Sequence, residues 1–90
     1  MTHELSLVSG VLARLGAVAR AEGAERVTRI VLRLGALVPC SPDHLREHFV
    51  EGARGTLADG AEVVITLSTD VADPHAHEVV LDSVEVEVDA

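Results

Sequence analysis

Apolar residues return at three- and four-residue steps through Leu5, Val8, Leu12, Leu15 and Ala19, a spacing that lines one face of an α-helix. Gly23 is a natural stop, because glycine accepts the left-handed conformation that ends many helices. The pattern predicts a first helix over residues 4–22. From Arg26 the period shortens to two. Thr28, Ile30, Leu32 and Leu34 fall on one side of a strand over residues 26–38, and Val27, Arg29, Val31 and Arg33 on the other. Arginine mixed with valine on the second side predicts a sheet with one face well covered. Pro39 closes the strand. Ser41-Pro42-Asp43 then supplies an N-cap, a proline for the first helical position and an acid for the first turn. His44 stands where a capping box would place Glu or Gln, so the box itself is absent.

Leu45 and Phe49 are the expected core contacts of this second helix, which should end between Gly52 and Gly55. Asp59-Gly60 signals a turn. Val63, Ile65 and Leu67 alternate with Glu62, Val64 and Thr66 to make a second strand, and residues 68–76 read as a polar loop around Pro74. The third strand runs from Glu78 to Val88. Val79 and Leu81 share one phase and Val84, Val86 and Val88 the other, so a bulge is expected near Asp82-Ser83. The predicted fold is α/β of the two-layer α+β kind: three strands, two helices on one face, order α-β-α-β-β.

Ninety residues support one domain, 1–90, with one modest core. Phe49 is the sole aromatic residue, so bases and sugars would find almost no stacking platform. A formal charge of −8 argues against nucleic acid and against anionic membrane surfaces as partners. All seven basic residues are arginine, which with the abundance of Ala and Val points to a GC-rich bacterial genome. Residues 1–21 have an apolar stretch, but His3 and Glu4 replace the positive n-region of a signal peptide and Arg14 interrupts the run. The chain reads as cytoplasmic.

Metal ligation is the chemistry these residues could carry. A terminal amine, the following backbone amides and an early imidazole can wrap Ni(II) or Cu(II) in a square plane of nitrogens. Met1, Thr2 and His3 offer that set whether Met1 is kept or removed, since the small Thr2 permits removal. His44 and His48, four apart on the second helix, share a face, but a zinc site needs more ligands than two. His75 and His77 would share a face if extended, with Asp73 or Asp70 as oxygen donors. Cys40 is a lone thiol, which excludes an internal disulfide and a multi-cysteine zinc site. No phosphate loop, nucleophile motif or paired-acid pattern stands out, so an enzyme is not expected.

Several segments taken in order resemble the hydrogenase nickel-incorporation family of the HypA/HybF type. They are His3-Glu4-Leu5-Ser6-Leu7, Arg26-Val27-Thr28, Leu34-Gly35-Ala36-Leu37, Pro42-Asp43-His44-Leu45-Arg46, Ala53-Arg54-Gly55-Thr56, Gly60-Ala61-Glu62-Val63 and Ser83-Val84-Glu85-Val86-Glu87. The resemblance implies a nickel metallochaperone for [NiFe]-hydrogenase, and in some species urease, working with a GTPase of the HypB type and delivering to the hydrogenase large subunit. It implies nickel held transiently by the N-terminal amine, backbone amides and imidazole, here Met1, Thr2 and His3, with Glu4 beside them. His75, His77, His44 and His48 are the secondary metal candidates. Thr2 is an insertion relative to the family's Met-His-Glu start. The family's zinc module of two Cys-x-x-Cys pairs is missing, its place taken by loop 68–76, so zinc binding by four cysteines is not expected. The alternatives are a metal-free interaction module of the same fold and a different metal site centred on His75 and His77, and a homodimer by exchange of strand three is compatible with the pattern.

Overall fold

The computed structural model describes residues 3–88, with side chains described from Ser6 onward. The chain runs α1 (His3–Ala21), β1 (Ala24–Leu34), α2 (Pro42–Ala53), β2 (Glu62–Leu67) and β3 (Val79–Val88). The sheet order is β2-β1-β3, with β1 parallel to β2 and antiparallel to β3. α2 is thus the crossover a parallel pair requires. Both helices contribute to one core with the inner face of the sheet, as the two-layer expectation required.

Val8, Val11, Leu15 and Ala19 of α1 are buried against Val27, Ile30, Leu32 and Leu34 of β1, and Leu45, Phe49 and Ala53 anchor α2 in the same cluster. Gly23, at φ +65°, turns the chain out of α1, where any side chain would be strained. Ser41 caps α2: its Oγ accepts from the His44 amide at 3.1 Å.

Three expectations about β1 are corrected. The strand starts two residues earlier, at Ala24, and it stops at Leu34 instead of running on to Val38. Beyond Leu34 the amides of Gly35 and Leu37 donate to Glu78 O (3.0 Å) and Ala76 O (2.8 Å), so the loop before β3 takes the partners that a longer strand would need. The inward residues also differ. Val27, not Thr28, is buried, because β1 carries an extra residue between the pairs Val27↔Val86 and Arg29↔Glu85. That bulge resets the alternation. Thr28 instead donates through Oγ1 to Glu85 O (3.1 Å). On β3 the bulge lies where the valine phases predict it: Val31 pairs Ser83 and Leu32 pairs Leu81, leaving Asp82 as the extra residue.

The outer face of the sheet is uncovered and bears crossed ion pairs. Arg29, on the central strand, reaches Glu62 on β2 (3.3 Å) and Glu85 on β3 (3.0 Å), while Arg26 meets Glu87 (3.1 Å) and Arg33 meets Asp82 (3.6 Å). All are partly solvated, so they contribute little stability each. They do make both neighbours of β1 match its charge.

Candidate metal sites

Met1 and Thr2 lie outside the described residues. His3 and Glu4 open α1, and their side chains lie outside what the structure describes. The backbone is informative nonetheless. The first four amides of an α-helix have no partner within it, so a helix that starts at His3 leaves the His3 amide unclaimed by α1.

The direction of the helices decides what else lies near that start. A Cβ built on Gly52 of α2 would stand 2.9 Å from Leu12 Cδ1 and 3.5 Å from Val8 Cγ1, so the side of α2 bearing Gly52 faces α1. Further along, Thr56, Leu57 and Ala58 share a cavity of about 260 Å³ with Leu12, Leu15 and Ala19. The two segments therefore advance in the same direction, and α1 and α2 begin at the same end of the helix layer. At 1.5 Å per residue, His48 and His44 lie roughly 6 and 12 Å before Gly52, and His3 roughly 7–14 Å before Val8 and Leu12. His44, His48 and Gly52 follow one another at four-residue steps along α2.

Along that row the His44 and His48 rings meet, with centroids 4.8 Å apart and planes tilted by 38°. His44 is exposed and His48 half-buried. The loop pair is arranged differently. Residues 71–77 form successive turns instead of an extended segment, so the condition for His75 and His77 to share a face is not met. Ala76 between them is buried, and its carbonyl holds the Leu37 amide. His75 Nδ1 lies 3.0 Å from Glu78 Oε2, and its backbone amide donates to Asp73 Oδ1 at 2.9 Å.

Among the described residues, no three His, Cys, Asp or Glu side chains come together to hold a metal. Cys40 donates to Ser41 O (3.4 Å) just before α2. The 260 Å³ cavity has an apolar wall with Arg20 as its one charged residue, and offers no metal ligand. No helix among the described residues is long and apolar enough to cross a membrane. The contact of α2 with α1 at Gly52 was not visible as such in the sequence. Gly52 was the available signal, since a glycine on a helix face lets a neighbouring helix approach.

An α+β domain with two helices over one face of a β2-β1-β3 sheet is an architecture shared with a solved structure. The solution structure of the Ni metallochaperone HypA from Helicobacter pylori superposes with a TM-score of 0.80 over 98% of this chain and 100% of that one; at 17% identity the likeness is one of fold. The family model for hydrogenase/urease nickel incorporation, metallochaperone, hypA, matches residues 1–86, and the chain belongs to that family. Hydrogenase maturation factors HypA from Chlorobium limicola and Acidithiobacillus ferrooxidans are each 43% identical over 63 residues, 70% of this chain and 54% and 56% of theirs. The chain thus spans about half the length of the curated relatives it matches.

Proposed function

We propose that this protein is a nickel metallochaperone of hydrogenase maturation that holds Ni(II) at Met1–Glu4 and passes it on. The observation that carries the reading is the start of α1 at His3 in a chain matched by the nickel-incorporation family from residue 1. The terminal amine, the backbone amides and the His3 imidazole form a square-planar set, and Glu4 flanks it. Because the ligands are contiguous, the metal can be exchanged to a client without opening the core. Binding displaces protons from amine, amide and imidazole, so acidification should release the metal. A cytoplasmic GTPase of the HypB type and the hydrogenase large subunit are the proposed partners.

Nickel titration of tag-free protein by calorimetry and absorbance tests this reading. We expect a tight equivalent with the d–d band of square-planar nickel, weakened at least tenfold in His3→Ala. Unchanged affinity in that variant would sink it. The intact mass of protein isolated from cells then decides whether the amine belongs to Met1 or Thr2.

A further inference from the structure

We propose that His44 and His48 of α2 form a second metal site, a two-imidazole chelate for a d-block dication such as Ni(II), separate from the N-terminal set. The proposal goes beyond the N-terminal reading and does not depend on it.

Ring spacing carries the argument. A ring nitrogen binds such a metal at about 2.0–2.1 Å, which places each ring centroid about 3.2 Å from the ion. Two centroids 4.8 Å apart then subtend close to a right angle at the metal. That is the angle between adjacent ligands in square-planar or octahedral coordination, so one ion can bridge the rings with rotation of the imidazoles and no shift of the helix. A four-residue step on a helix fixes the spacing before metal arrives, which lowers the ordering cost of chelation.

The surroundings favour a cation. Glu47 and Glu51, three and seven residues after His44, fall on the same side of α2 and are exposed. Asp43, in the first turn, opposes the positive potential of the helix N-terminus. Asp43 and Glu51 also meet Arg46 (3.4 Å) and Arg54 (3.3 Å), which offsets part of their charge. Among the described residues no third His, Cys, Asp or Glu joins the pair, so the proposed chelate is one of two imidazoles. Such a site binds more weakly than the N-terminal one and exchanges faster, which suits a metal in transit.

The test is a nickel titration of the whole chain, followed by calorimetry and by the histidine ring resonances in NMR. Wild-type protein should take two equivalents. His44→Ala/His48→Ala should lose the weaker one and keep the tight one, with its helical circular dichroism intact. His3→Ala should keep the weaker one and show paramagnetic broadening of both the His44 and His48 ring signals. Two equivalents in the double variant overturn the proposal. So does a folded His3→Ala that binds none. A double variant that loses only affinity in the tight equivalent also overturns it, because the pair would then support the N-terminal site instead of forming its own. If the N-terminal reading alone fails, His3→Ala matches wild type while the double variant still loses one equivalent.

Discussion

The chain has two closely spaced histidine pairs, and the backbone treats them in opposite ways. His44 and His48 ride on a helix whose next residue, Phe49, is buried in the core, and their rings meet at 4.8 Å. His75 and His77 are closer in sequence but ride on consecutive turns, with buried Ala76 between them and one ring committed to Glu78. The helical pair gets its geometry from a repeating backbone. The loop pair gets its geometry from whatever holds the loop down, here the end of β1. Sequence proximity of potential ligands therefore means little until the intervening backbone is known.

The comparison can be broken hardest at the helix. Phe49 is 1% exposed and is the largest fully buried side chain among the described residues. Phe49→Ala should destabilise the fold by about 3–5 kcal/mol, measured by chemical denaturation, since it removes buried apolar area and leaves a cavity. It should also loosen α2 and disperse the His44 and His48 ring signals while the fold survives. A loss under 1 kcal/mol would mean that α2 is not held by the core as described.

The loop is tested at Gly35, which has no room for a side chain. A Cβ there would collide with Ala76 O and stand 2.6 Å from Ala76 C and 2.7 Å from His75 O, all of them backbone atoms. Gly35→Ala should cost about 1–3 kcal/mol in the same assay, because the loop must move to make room. The backbone signals of His75 and His77 should shift, and those of His44 and His48 should not. Equal shifts at both pairs would show that the two regions are coupled.

How much of this was legible in the sequence depends on the range of the interaction. Element order, the Ser41 cap, the bulge at Asp82 and the single covered sheet face all follow from spacing within a few residues. The bulge at Thr28 did not, since the pattern from Thr28 to Leu34 alternates without interruption and Val27 is turned inward only by its register against β3. Nor did the early end of β1, which is set by amide partners some forty residues away, Ala76 and Glu78. The pairing of His44 with His48 was readable from helical spacing. The close approach of α1 to α2 needed the contact at Gly52 to be seen.

A smaller effect sharpens the helical side of the comparison. Ser41→Ala removes the acceptor for the His44 amide and should cost about 1 kcal/mol of stability. Fraying of the first turn would free His44 more than His48, so the second nickel equivalent should weaken while the tight one stays unchanged. A stable variant with intact nickel stoichiometry and affinity would show that the first turn of α2 does not fix the spacing.

The smallest effect belongs to the loop. His75 and Glu78 are both about half-exposed, so their contact at 3.0 Å is screened by water and holds a full charge pair only when the imidazole is protonated. The turn itself is held by bonds that do not involve the ring: the His75 amide to Asp73 Oδ1, the Ala76 amide to Asp73 O, and the Leu37 amide to Ala76 O. His75→Ala should therefore lower stability by less than about 1 kcal/mol. Nickel stoichiometry should be unchanged in His75→Ala/His77→Ala. Loss of an equivalent in that variant would move the second site from the helix to the loop, and would mean that the turns over residues 71–77 rearrange around a metal.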